Sequence, residues 1–170
     1  MKNLILPVLM LFTIFNQAQA AGVPSRVNIE VNAEISTGVR IFAEGKDVTN
    51  SSIPPITLKD KNGYMEGITP VLHFIGNASS VSISLQEPTG QNLISENNDE
   101  MRIKSSWVRA DGGEVITAYP LRNQPVYPTL QDVPDQLKGV RIRFISAARS
   151  ETYPLGLYSG TYVVTVTPSV

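Results

Sequence analysis

Val27-Asn28-Ile29-Glu30-Val31-Asn32-Ala33-Glu34-Ile35 alternates apolar and polar side chains without a break. Successive side chains of an extended strand point to opposite faces, so this period of two describes a strand with one buried face. Ser36-Thr37-Gly38 separates it from a second short strand, Val39-Arg40-Ile41-Phe42. The same alternation recurs in Val81, Ile83 and Leu85, and again in Val140, Ile142 and Phe144. Further strands are predicted at 56–58, 71–75, 101–108, 114–118 and 161–167. Between them lie turn signals at Asn62-Gly63, Gly76-Asn77, Pro88-Thr89-Gly90 and Asp111-Gly112-Gly113, and the last of these suits a hairpin. No segment sustains a helical period, and residues 133–137 offer one or two turns at most. Many short strands with turns at this spacing predict an all-β chain, an immunoglobulin-like β-sandwich. Residues 120–134 carry four prolines and read as a long irregular crossover loop between sheets, or else as a surface contact loop.

The first twenty residues read differently. Lys2 precedes an apolar run over residues 4–15, and Ala18-Gln19-Ala20 gives the small-x-small pattern of a cleavage site. That is a signal peptide, 1–20, and it places the chain in an exported compartment. Without Lys2, 13 basic side chains face 15 acidic ones. Such a balance has no basic excess for phosphates, so no nucleic-acid partner is expected. The chain has no cysteine, which removes thiol catalysis, cysteine-zinc sites and disulfide staples together.

Groups for chemistry are sparse, and neither a cofactor, a metal nor a catalytic residue is assigned. The single histidine, His73, lies in Val71-Leu72-His73-Phe74-Ile75, in phase with Val71 and Ile75, and reads as a satisfied strand residue. Glu96-Asn97-Asn98-Asp99-Glu100 lacks the ordered spacing of a calcium loop and reads as a solvated turn. Asp132 and Asp135 form a carboxylate pair in a proline-rich loop, a weak basis for glycoside hydrolysis. No Gly-x-Ser-x-Gly elbow is present.

The two ends are the informative parts. Gly156, Tyr158 and Gly160 form a Gly-x-Tyr-x-Gly element, followed by Tyr162-Val163-Val164-Thr165-Val166-Thr167. Together with the alternating strand after the cleavage site and the absence of cysteine, this resembles the pilins of chaperone–usher fimbriae. The similarity is greatest to the alpha (class 5) branch of colonisation-factor pilins. The cysteine pair of the type 1 and P branches is missing, and Ser169 stands where many such pilins carry tyrosine.

The resemblance implies a sandwich that lacks its final strand and is completed by a strand donated from another subunit. On that reading residues 21–36 are the N-terminal donor strand and 37–170 the immunoglobulin-like pilin domain. Val27, Ile29, Val31, Ala33 and Ile35 enter the neighbour's groove. Gly156, Tyr158, Gly160, Tyr162, Val164 and Val166 form the groove edge and the chaperone contact. Tyr162, Val164 and Val166 share the inward phase, and Thr165 and Thr167 the outward one. The implied partners are other pilin subunits in a homo- or hetero-polymer, a periplasmic chaperone, an outer-membrane usher and a host receptor. The implied location is the cell surface, in fimbriae, after passage through the periplasm. The function that follows is a structural, non-enzymatic subunit supporting adhesion. The competing reading is a monomeric secreted β-sandwich that binds a glycan or a host protein.

Overall fold

Period-two burial runs through the central strands of the computed structural model, which describes residues 38–169. The strands in chain order are β1 (Val39–Ala43), β2 (Lys46–Asp47), β3 (Lys59–Lys61), β4 (Tyr64–Ile68), β5 (Leu72–Gly76), β6 (Ser80–Gln86) and β7 (Asn92–Ser95). They continue as β8 (Glu100–Val108), β9 (Glu114–Ile116), β10 (Leu121–Tyr127), β11 (Arg141–Ser146), β12 (Tyr158–Ser159) and β13 (Val163–Ser169). Three short 3-10 turns are the only helical pieces among the described residues.

These strands form two sheets. The first runs β13-β6-β10-β5-β1-β2 and the second β12-β7-β8-β11-β4-β3, with β9 on β8. The inner faces meet through Val81 and Ile83 of β6, Met101, Ile103 and Trp107 of β8, and Ile142 and Phe144 of β11, all buried. Ser82, Ser84, Arg141 and Arg143 take the alternate positions and are only partly covered. The architecture is the expected all-β, immunoglobulin-like sandwich. Trp107 fills its centre with no exposure, its indole N–H donating to the Tyr119 carbonyl at 3.3 Å. On the outer face Arg143 pairs with Glu66 and Glu114, each at 3.0 Å, tying β11 to β4 and β9. The Arg143 hydrogen bond holds the Glu66 carboxyl below its ordinary value.

Three expectations are corrected. Residues 120–134 are not one irregular loop, because β10 lies inside the first sheet, parallel to β5 and antiparallel to β6. A register shift between Leu121 and Gln124, with Asn123 at φ 55°, marks an irregularity that lets Pro125 sit in a strand without an N–H to give. Residues 56–58 are not in a strand. Pairing falls instead on Lys59–Lys61, placed by the Asn62-Gly63 turn, whose residues have φ 56° and 82° as a two-residue hairpin requires. The helical turn lies at Leu130–Asp132 rather than at 133–137, closed by a capping box between Thr129 and Asp132.

In β5 the core phase belongs to Leu72 and Phe74. His73 points to the opposite face, where it is also buried, its Nε2 lying 3.0 Å from the Lys138 carbonyl oxygen. Leu72 and Val140 exchange backbone hydrogen bonds at 2.8 and 3.3 Å, joining the sheets at one corner. A Cβ on Gly139 would stand 2.8 Å from the Leu72 carbonyl oxygen, so glycine permits that approach. The expected hairpin at residues 111–113 is present, with the Gly112 amide bonded to the Arg109 carbonyl at 2.9 Å.

Candidate functional site

Both sheets end on the same stretch of chain. Residues 156–159 close the second sheet, where Tyr158 pairs with Ser95 and Ser159 with Ile94. The Leu157 amide donates to Glu96 Oε2 at 2.8 Å, and the Tyr158 hydroxyl to the Pro154 carbonyl at 2.8 Å. The Tyr158 ring meets Tyr153 edge-on at 6.5 Å. A Cβ on Gly160 would come within 2.7 Å of Leu93 Cδ2, so the chain turns against the core at a place with little room for a side chain.

Residues 160–162 then carry the chain to the other sheet. There β13 pairs with β6 alone, in unbroken antiparallel register from Val163 opposite Gln86 to Ser169 opposite Ser80. Of the six residues expected at the groove edge, Gly156, Tyr158 and Gly160 lie on or beside β12 at the edge of the second sheet, and Val164 and Val166 on β13 at the edge of the first, with Tyr162 at the crossing between them.

Side-chain parity on β13 follows the expected phase. Val164 and Val166 are half-buried and pack against the core, while Val163, Thr165 and Thr167 are exposed. Val166 stands opposite Ile83, which is wholly buried, so the inner face of β6 continues onto β13 and there becomes partly uncovered. Tyr162 spans the gap between the sheets, its ring 4.7 Å from that of Phe144 on β11 and tilted by 52°. The outer edge of β13 presents a row of backbone donors and acceptors with no strand beside it among the described residues. The five residues assigned to the donor strand, Val27, Ile29, Val31, Ala33 and Ile35, lie outside the described residues.

A polar cluster that the sequence does not advertise sits beside Tyr162. Glu87 accepts hydrogen bonds from Ser105 Oγ, from Thr117 Oγ1 at 3.1 Å and from Gln91 Nε2 at 2.7 Å. The Tyr162 hydroxyl is buried with no hydrogen-bond partner. Burial, and after it the Glu87 charge, pushes its phenol up to about 12. A proton held more tightly folded than unfolded gives stability that is complete below the unfolded phenol's value of about 10. That stability is lost as the pH rises towards about 12. Tyr162→Phe is expected to flatten this alkaline slope and, by deleting an orphaned hydroxyl, to leave neutral-pH stability unchanged or raised. Urea unfolding of the two proteins from pH 8 to 12 checks both expectations.

The groups considered for catalysis have structural occupations. Asp132 accepts from Thr129 Oγ1 at 2.7 Å and from the Thr129 amide at 2.9 Å, and Asp135 holds the Leu137 amide at 2.9 Å and Lys138 at 3.5 Å. Residues 96–100 form the turn into β8, within which Ser95 Oγ receives the amides of Asn97 and Asp99. Among the described residues, no group of three or more His, Cys, Asp or Glu side chains gathers in a metal-binding arrangement. No described helix is long and apolar enough to cross a membrane.

No protein-family model matches the chain, and no curated protein is similar to it. Among solved structures, the chain is similar to one from a chaperone–tip adhesin complex vital for synergistic activation of CFA/I fimbriae biogenesis. The two are 19% identical, with a TM-score of 0.48, over 77% of this chain and 42% of that one. This chain therefore spans less than half of that chain's length. At that identity no activity or partner passes from that protein to this one.

Proposed function

We propose that this chain is a structural subunit of a bacterial surface fimbria, assembled by donor-strand exchange through a periplasmic chaperone and an outer-membrane usher. In this reading residues 1–20 direct export, residues 21–36 are the donated strand, and residues 37–170 are the pilin domain that receives one. The observation that carries it is β13. It is a seven-residue terminal strand of its sheet, paired on one side only among the described residues, with an apolar inward face that the second sheet leaves partly uncovered. Strand addition suits such an edge: main-chain hydrogen bonds supply affinity, and alternate side chains entering the groove supply specificity. Residues 27–35 have that pattern, with five apolar positions in one phase.

The chaperone's task follows from the same geometry, since a long uncovered edge with an apolar face is an aggregation hazard until it is filled. Polymerised subunits then present their outer faces at the cell surface, where they support adhesion. The test is to recover surface filaments from cells producing the whole chain and run them in SDS with and without boiling. A ladder of multimers that collapses to monomer on boiling is expected. A chain recovered only as a folded monomer, with residues 27–35 lying on its own β13, overturns the proposal in favour of the secreted binding module.

A further inference from the structure

The open edge of β13 is blocked differently at its two ends. Pro168 lies in the strand, opposite Val81. The Ser79 amide bonds to the Ser169 carbonyl at 3.1 Å, so Ser169 turns its backbone polar groups towards β6 and Pro168 turns them outward. A proline, with no N–H to give, fits a strand in that outward phase. Val164 and Val166 share it, so the edge offers a donor and an acceptor at each of them but a carbonyl alone at Pro168. At the other end Tyr162 fills the gap between the sheets, its ring 4.7 Å from that of Phe144.

We infer that residues 27–35 of a second copy dock on this edge in one register. Val31 stands opposite Val164, Ile29 opposite Val166, Val27 opposite Pro168, and Ala33 beside Tyr162. This inference rests on the fimbrial reading above and takes the docked strand as antiparallel, the slightly more stable pairing. Opposed side chains share a face, so five apolar residues can meet the inward phase of β13 only in steps of two. One step in one direction sets Ile35 against Tyr162 and Ile29 against Pro168, which leaves the Ile29 carbonyl without a donor in mid-strand. One step in the other direction sets Val31 against Tyr162. The stated register gives the tyrosine the smallest of the five side chains, Ala33. It also puts the missing N–H at the first residue of the docked strand.

The edge is out of reach of its own chain. Val39, where β1 begins, pairs with Gly76. Through β5, β10 and β6 that end of the sheet is level with Ser169, not with Val163. The place beside β13 is five strand spacings from β1, about 24 Å across the sheet. An antiparallel strand there holds Ile35 at the Val163 end, roughly 20 Å along the strand from the level of Val39. From Ile35 to Val39 the chain spans at most about 14 Å. A strand in this register therefore comes from another copy.

The chain has no cysteine, so introduced pairs report the register without background. Glu30 falls opposite Thr165, in the outward-facing phase, at a pair without mutual hydrogen bonds, where opposed Cα atoms are about 4.5 Å apart and a disulfide can close. Glu30→Cys and Thr165→Cys are introduced together into the whole chain, and fimbriae are oxidised, boiled in SDS and resolved without reductant. A covalent ladder that collapses with reductant is expected, and neither single-cysteine variant should give one. Thr165→Cys combined with Asn28→Cys or with Asn32→Cys reports the two neighbouring registers and should give none. A covalent ladder from either of those pairs in place of the Glu30 pair overturns the register. An unboiled ladder with no covalent ladder from any of the three pairs overturns the inference and leaves the fimbrial reading standing. If the unmodified chain gives no SDS-resistant ladder, or the Glu30 pair closes within a single monomer, the fimbrial reading fails and the inference with it.

Discussion

Val31→Asp should abolish polymerisation while leaving the subunit's amount and fold unchanged. In the proposed assembly Val31 is the central inward side chain of the donated strand. Its burial contributes about 1.5–3 kcal/mol, and an unpaired carboxylate in its place costs several kcal/mol even after relaxation. In that assembly the loss falls on the contact between copies, because the donated strand closes a neighbour's domain and not its own. Ile29→Asp should behave in the same way. Asn32→Asp lies in the other phase and should assemble nearly normally, since an added charge on a solvent-facing position usually changes stability by less than about 0.5 kcal/mol. Unboiled SDS ladders from surface fractions, with total subunit measured beside them, separate these outcomes. Val31→Asp acting instead through loss of the subunit itself would return residues 27–35 to their own sandwich.

The second large effect is expected at the receiving edge. Val166 stands opposite the fully buried Ile83 and faces the second sheet, whereas its neighbour Thr165 is exposed. Val166→Asp should therefore destabilise the domain by several kcal/mol and remove it from the periplasm. Thr165→Asp, at most about 1 kcal/mol worse through strand propensity, should be recovered. Periplasmic yield and urea midpoints of the two variants give the comparison. Equal losses would contradict the facing of β13 on which the groove depends.

What the sequence made legible divides along physical lines. β6, β8 and β11 show through because one face meets the core and the other meets solvent, so that Val81 and Ile83, or Ile142 and Phe144, write the period of two directly. β5 is legible as a strand but not in its core face, because it is covered on both faces: Leu72, His73 and Phe74 are all buried, and the bond from His73 to the 138 carbonyl comes from a loop that sequence proximity does not reveal. β10 is hidden by Pro120, Pro125 and Pro128, which read as breakers, and the irregularity at Asn123 that accommodates such a strand is a tertiary feature. β3 consists of Lys59, Asp60 and Lys61, with no apolar signal, and pairs because the Asn62-Gly63 turn folds it onto β4.

The candidate site divides similarly. The phase of Val164 and Val166 was readable from alternation. That residues 158–159 and 163–169 serve different sheets was not, since the crossing at residues 160–162 is fixed by Leu93 beneath Gly160 and Phe144 beneath Tyr162. The Glu87, Ser105 and Thr117 cluster draws on three separated segments and left no mark in the sequence.

The central claim is that the outer edge of β13 is filled by residues 27–35 of another copy. Helical reconstruction of isolated fimbriae, to a resolution at which the main chain can be traced, tests it most directly. The account predicts an added strand hydrogen-bonded along 163–169 and running antiparallel to it. Continuous density should lead from that strand into β1 of the adjacent subunit, with Ile29 and Val31 directed between the sheets. An edge left bare, or filled by residues 27–35 of the same chain, would contradict it.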